Sequence, residues 1–330
     1  REATADKRPD FSMLAPRQPL PGKAPPLPPQ LKERSQQYRQ KHPPQAPLLA
    51  HIRMHDGPGV VALNDKTNFW LKLQAAGLAH LHPHTILLEE CCPAGIRETL
   101  HSRVRALSHL WFLKYRYGDG GSKVHCFTSP ESLEEYINKF SLEKSPWLFL
   151  IQEGVRPLLV DSRKPVLRLY VLVLGRVAYV HREFLLKLLG GEYSDGTNDR
   201  KVHVASEAGD PGVSVTRGTE WQDYACFFPK VCEATSQVMA AYADVLEPDP
   251  SLEGLRYSLI GLDVLLTCEG LPKVLEANCP PALFEVCDEL TKAVKTEVQQ
   301  DFYNFVILGA GRDNAKLGGF LQLAPQAVED

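Results

Sequence analysis

An α+β fold is the class this 330-residue sequence predicts. Three observations carry the prediction: short apolar runs bounded by turn residues, helical periodicity between several of them, and pairs of runs close enough to fold back as hairpins. The most telling pair is Ile260-Gly261-Leu262-Asp263-Val264-Leu265-Leu266 and Lys273-Val274-Leu275-Glu276-Ala277-Asn278, joined by a turn at Cys268-Glu269-Gly270. This hairpin puts a carboxylate on one strand and a carboxylate plus a carboxamide on the other. Three oxygen donors at one sheet edge suit Mg²⁺, which takes few protein ligands and fills its remaining positions with water and phosphate oxygens. Two ordinary strands ending in solvated acids would show the same local pattern.

The first 48 residues predict an extended, disordered arm. They hold Pro9, Pro16, Pro19, Pro21, Pro25, Pro26, Pro28, Pro29, Pro43, Pro44 and Pro47, and proline denies both helix continuation and sheet pairing. Nine Lys or Arg against four acids make the arm basic. Residues 60–63 then predict a short buried strand. Residues 65–79 predict a helix, with Phe69, Leu71, Leu73 and Leu78 in phase and Asn64 or Asp65 as its N-cap. Strands are predicted at 85–88, 110–114 and 124–127, with a helix at 93–107. Ser129 opens another helix, with Glu131 and Glu134 near its positive end. Leu169-Tyr170-Val171-Leu172-Val173-Leu174 is apolar on both faces and belongs in the middle of a sheet. A turn at Gly175-Arg176 leads from it to a strand at 177–183. Residues 190–212, with Asp195, Asp199 and Asp210, predict a mobile loop over a substrate cleft. Residues 221–245 and 285–308 predict helices.

Composition narrows the function classes. A formal charge of −3 gives no nucleic-acid signature, and no apolar window is long enough to span a membrane, so neither partner is expected. Eight cysteines, none in a CxxC pair, predict reduced and mostly buried thiols in a cytoplasmic protein.

Two further groups of residues bear on chemistry. Tyr117-Gly118-Asp119-Gly120-Gly121-Ser122-Lys123 lies between two strands. Its glycines allow the backbone to approach a polyphosphate and turn N–H groups toward it, with Lys114 placed to add an ammonium. A plain hairpin turn uses glycines for the same conformational reason, and the loop fits neither the P-loop nor the Rossmann spacing. Downstream, Lys164, Arg168 and Arg182 sit near apolar strands. Cations there need anionic partners, supplied by the hairpin acids or by bound phosphate. His80, His82 and His84 alternate like metal ligands, but Pro83 interrupts them and no acid is in phase, so a solvated turn is expected.

In this order and spacing, the strings at 152–159, 163–173, 179–183 and 261–278 resemble the tubulin tyrosine ligase-like family of ATP-grasp ligases. The resemblance runs from about residue 64 to 302. It implies an ATP-grasp fold holding ATP between two lobes, and chemistry that joins a free amino acid to a protein carboxylate through an acyl-phosphate. By resemblance, Lys66, Lys114, Gly118, Gly120, Gly121, Gln152, Lys164 and His203 are nucleotide-site residues. Arg168 and Arg182 are the catalytic basic positions, and Asp263, Glu276 and Asn278 are the magnesium ligands. The implied cofactors are ATP and Mg²⁺. The implied acceptor is tubulin or another protein with an acidic tail, and a cytoplasmic, cytoskeleton-associated monomer is expected. The implied organisation is an arm at 1–48, lobes at 49–108, 109–160 and 161–310, and a tail at 311–330. The sequence departs from the family at Glu153, Gly154, Val166, Ala205 and Ser206, which replace polar or basic groups near the nucleotide. Those departures raise the alternative of a catalytically impaired relative that binds nucleotide or tubulin without ligating.

Overall fold

The computed structural model describes residues 52–54, 62–91, 95, 98–99, 110–118, 121, 123–204, 212–243, 255–283, 288–308 and 317–323. The proline-rich arm, Gly120, Ala205, Ser206, Asp210 and most of the predicted 93–107 helix lie outside them. Residues Pro47–Asp330 form one compact unit, within which the chain builds two antiparallel-dominated sheets and flanking helices.

In chain order, β1 (Ile52–Met54) is followed by α1 (Lys66–Ala75), β2 (Thr85–Leu87), β3 (Trp111–Tyr115), β4 (Val124–Phe127), α2 (Pro130–Lys139) and β5 (Phe149–Glu153). Next come β6 (Arg163–Leu174), β7 (Val177–His181), β8 (Leu185–Glu192), α3 (Arg200–His203), β9 (Ser214–Arg217) and α4 (Tyr224–Ala241). The chain closes with β10 (Leu255–Leu266), β11 (Pro272–Asn278), α5 (Glu289–Phe302) and β12 (Phe320–Gln322). Helix starts follow side-chain chemistry. Asp65 caps α1 by accepting from the Thr67 and Asn68 amides, and Ser129 caps α2 by accepting from the Ser132 amide.

β2, β5, β3 and β4 form the smaller sheet, antiparallel throughout. Leu133 and Ile137 of α2 pack beneath it against Trp111, Leu113 and Ile151. The larger sheet is organised by β6 and β10, which pair antiparallel from Tyr257↔Leu174 to Val264↔Leu167. The first half of β6 also pairs with β8 and its second half with β7. Side-chain alternation divides the large sheet into two faces. Leu167, Leu169, Val171 and Val173, with Ile260, Leu262, Val264 and Leu266, pack against Phe228, Val231 and Val238 of α4 and Phe69 and Leu73 of α1. On the opposite face, Tyr170, Leu172 and Leu259 meet Val294 and Val298 of α5. The rest of that face, carrying Lys164, Val166 and Arg168, forms no part of this apolar cluster.

β10 and β11 form the predicted hairpin, with Asp263 opposite Glu276 and Gly261 opposite Asn278. The ladder then skips Leu275, so that Val264 pairs with Val274. This bulge keeps Val274 and Ala277 in the core while Leu275 and Glu276 both line a cleft.

The structure corrects the sequence reading at several places. Residues 62–64 are helical rather than extended, with Leu63 buried and Asn64 bonded in both directions to the Cys279 backbone at 2.6 Å. β8, β9 and α3 occupy much of what reads as strand end and loop between 183 and 217. In the expected tail, β12 pairs with β7. Gly319 donates its amide to Asp301 at 2.6 Å, and Asp301 meets the buried His181 ring at 3.1 Å. His82 is fully buried rather than solvated, whereas His80 and His84 are exposed. Its ring lies against Phe69 and Trp70.

Candidate functional site

A cleft lies where the glycine-loop end of the small sheet faces β6, β10 and β11. Most of the residues singled out in the sequence come together on its walls: Lys66, Lys114, Gly118, Gly121, Gln152, Lys164, His203, Asp263 and Glu276.

One part of the cleft is cationic, with Lys114 from the small sheet and Lys164 from β6 of the large one. Lys114, near the end of β3, donates to the Gln152 amide oxygen at 2.5 Å. Lys164, on β6, donates to the His203 carbonyl at 3.0 Å and lies over the Phe112 ring. Both lysines are buried, and no carboxylate lies within ion-pair distance of either among the described residues. Burial strips water from each ammonium and pushes its pKa down to about 8, the two charges adding to the effect on Lys164. For Lys114, Lys66 lowers it further while Glu276 and Asp263 oppose the fall.

The β10–β11 edge of the cleft is acidic but already compensated. Asp263 accepts a two-pronged contact from Arg168, from Nε and, at 2.8 Å, from Nη2. Burial alone would raise the Asp263 pKa, but the adjoining guanidinium reverses this and holds the carboxyl below its usual range. Glu276 lies within hydrogen-bonding reach of Asp263 and forms an ion pair with Lys66 at 3.1 Å. The same Lys66 ammonium donates to the Gly118 carbonyl, tying the acidic hairpin to the start of the glycine loop. At the loop's other end, Arg200 of α3 donates to the Gly121 carbonyl at 2.7 Å and to the Val124 carbonyl.

The remaining expected residues divide. Arg168 reaches the site through Asp263. Asn278 shares the Glu276 side of β11 but does not line the cleft, and its side-chain nitrogen is buried with no hydrogen-bond partner. Arg182 is exposed beyond the end of β7, and the structure does not bring it to the cleft wall. Gly120 lies outside the described residues. Val166 lines the cleft between Lys164 and Arg168. His203 donates from Nε2 to the Thr197 carbonyl at 2.7 Å, leaving a buried Nδ1 without a partner. Its pKa is lowered by burial and then by Lys164, which favours the neutral ring.

Two carboxylates in mutual reach, with an unsatisfied amide on the same side of the strand, are a donor set suited to a hard divalent cation. The present partners of the acids, Arg168 and Lys66, supply the compensating charge in this structure. The sequence reading gave no role to Phe112 or Lys123, which also line the cleft, and took Glu153, likewise on its lining, only as a departure from the family. It passed over Arg116 as well, which pairs with the α1 cap Asp65 at 2.7 Å. Position just after the strand and across the loop was the only sequence signal for Arg116 and Lys123.

The segment from Lys66 to α3 is the part of the chain that carries a family match. Residues 66–211 match the Tubulin-tyrosine ligase family. That range contains the lysines, the glycine loop, Gln152, Arg168 and His203, and it ends before β10 and β11. The acidic hairpin therefore joins the tubulin-tyrosine ligase-like segment through geometry, by lining the same cleft. No individual curated protein matches the chain. No helix among the described residues is long and apolar enough to cross a membrane.

Proposed function

We propose that the protein is an ATP- and Mg²⁺-dependent ligase of ATP-grasp architecture that joins an amino acid to a protein side-chain or tail carboxylate. The observation that carries this reading is the convergence of Lys66, Lys114, Lys164 and the glycine-loop ends with Asp263 and Glu276 on one cleft. Lysines without carboxylate partners are suited to a polyphosphate, and adjacent carboxylates to the cation that accompanies it. The tubulin-tyrosine ligase match favours a protein acceptor, with an acidic tail such as tubulin's as the first candidate.

In the proposed reaction, an acceptor carboxylate oxygen attacks the γ-phosphorus and the bond to the β,γ-bridging oxygen breaks, releasing ADP. The amine of the amino acid then attacks the acyl carbon and loses a proton as phosphate departs with the bonding electron pair. Lys114 and Lys164 hold the phosphates and neutralise their negative charge. Asp263, Glu276 and Asn278 would hold Mg²⁺, which supplies further neutralisation of the phosphate oxygens. Lys66 couples that edge to the glycine loop, and Arg168 orients Asp263.

A second reading is favoured by Val166 and Arg182. An apolar side chain stands on the cleft wall where the family resemblance places a carboxylate, and Arg182 is exposed away from the wall. Under this reading the chain binds nucleotide without completing ligation. The test is mass spectrometry of tubulin and tail peptides after incubation with the protein, Mg-ATP and mixed amino acids. The ligase reading expects a gain of one amino-acid residue mass, which identifies donor and position. ATP binding with no mass gain on any acceptor would replace it by the second reading.

A further inference from the structure

We propose that His82 is a positioning residue of this cleft, acting through Gln152 to aim the Lys114 ammonium within its cationic part. The proposal deepens the nucleotide-site reading by identifying what sets the direction of its most central lysine. It also gives Gln152 a task beyond the nucleotide-site role that the family resemblance implies.

The argument runs along a buried chain of donors and acceptors. His82, Gln152 and Lys114 are each at least about nine-tenths buried, with relative exposures of 3%, 3% and 9%. The His82 ring is neutral, its pKa lowered to about 3 chiefly by burial and then by Lys114. A neutral imidazole has one N–H and one lone-pair nitrogen. His82 Nδ1 lies 2.8 Å from the Pro83 carbonyl, which can only accept, and 3.3 Å from Thr85 Oγ1, so we assign the proton to Nδ1 and the lone pair to Nε2. Thr85 directs its own hydroxyl hydrogen to the same carbonyl at 2.9 Å, which leaves the Thr85 oxygen to accept.

Two acceptors therefore face the Gln152 side chain. Its nitrogen donates to Thr85 Oγ1 at 3.2 Å and makes a long contact of 3.5 Å with His82 Nε2. Rotating the amide by half a turn would oppose its oxygen to both lone pairs. The polarity is thus fixed with nitrogen toward His82 and oxygen toward Lys114, where it accepts at 2.5 Å. One backbone carbonyl, that of Pro83, orders the whole series. The ring is held in place by Phe69 and Trp70 on α1, and the Leu275 carbonyl on the β11 bulge also faces it. His82 is consequently seated between elements that line the cleft.

The test is competitive acylation of Lys114 in the ligand-free full chain, read by peptide mass spectrometry as a function of pH. In the wild type the labelling midpoint is expected at about 8. His82→Asn retains a donor for the Pro83 carbonyl but cannot reach Gln152, so Lys114 is freed to turn toward water. Its midpoint should then rise by about one unit, equivalent to roughly fivefold less labelling at the wild-type midpoint. Gln152→Leu should give the same shift, the double variant no larger one, and His82→Gln, whose amide can stand in for Nε2, should restore the wild-type midpoint. An unchanged midpoint in folded His82→Asn overturns the proposal. So does a His82→Asn shift that adds to that of Gln152→Leu, because His82 would then act by another route. His82→Phe is avoided as the primary variant because losing the Pro83 bond could compromise folding. Because no nucleotide or acceptor is present, absence of ligation leaves this result standing, and failure here leaves the ligase reading standing.

Discussion

Lys114 of β3 and Lys164 of β6 have no carboxylate within ion-pair distance among the described residues, whereas Asp263 and Glu276 on β10 and β11 are engaged by Arg168 and Lys66. The cationic group bears the unfavourable desolvation of its charges and gains when an anion arrives. The acidic group is already balanced, so a cation arriving there must exchange with an existing partner. Binding at the two groups is therefore addition in one case and substitution in the other.

The largest expected effect tests the acidic side. Glu276→Gln should lower ATP turnover by at least about 100-fold, as for loss of a group that stabilises developing charge, with the melting temperature nearly unchanged. Unchanged turnover would remove the hairpin from the chemistry. Stability should separate the two groups next. Asp263→Asn leaves the Arg168 guanidinium without its partner and should cost about 3–5 kcal/mol by chemical denaturation. Lys114→Met removes a buried cation that has no internal counter-charge, so it should leave stability equal or higher while weakening ATP binding about tenfold or more. A destabilised Lys114→Met would show that the two groups are not different in kind.

The third prediction concerns pH. In the folded chain Lys114 and Lys164 lose their protons near 8, and in the unfolded chain near the ordinary value of 10.5. Below about pH 8 both states hold the protons and the destabilisation from buried charge is fully present. Between that point and 10.5 the unfolded chain binds more protons, so stability of the ligand-free protein should rise with pH. ATP affinity should fall over the same range, because the neutral amines no longer attract phosphate. Calorimetry in buffers of differing ionisation enthalpy should detect proton uptake on binding near pH 8. The smallest effect is expected from Val166→Asp, which gives the cationic group a carboxylate of its own. ATP affinity should drop by only about threefold to tenfold, on the scale of one partly buried charge contact. Stronger ATP binding would contradict this account of the cationic group.

Much of this arrangement was legible in the sequence because it rests on local patterns. The period-2 runs of β6, β10 and β11, the Asp65 and Ser129 caps and the strand–glycine loop–strand all follow from short-range chemistry. The lysines and acids could be nominated for the same reason. What escaped was decided by long-range contact. β8 opens with Leu185-Leu186 directly after Phe184, an apolar run without alternation because Phe184 and Leu186 pack into the cluster on one face of the sheet and Leu185 into the cluster on the other. The β12 run Phe320-Leu321-Gln322 is too short to announce itself, yet it finds an open edge on β7. His82 read as part of a solvated turn because Pro83 interrupts the histidine series and no acid is in phase, and nothing local reveals that Phe69, Trp70 and Gln152 close over it. Arg182 followed a familiar spacing, but the end of β7 leaves it exposed.

The extra residue at Leu275 has a consequence for how this edge tolerates change. It works as a phase shifter, letting one short strand keep step with the hydrophobic core along one stretch and with the cleft along the next. Removing Leu275 alone would delete no charged group and would leave a regular ladder, with Val264 still opposite Val274 and Asp263 still opposite Glu276. Keeping Leu275 but flattening the bulge would instead put Val274 and Glu276 on the same face, so that either the core position or the cleft carboxylate is lost. The chemical edge thus depends on where the backbone bulges as well as on the identity of its residues.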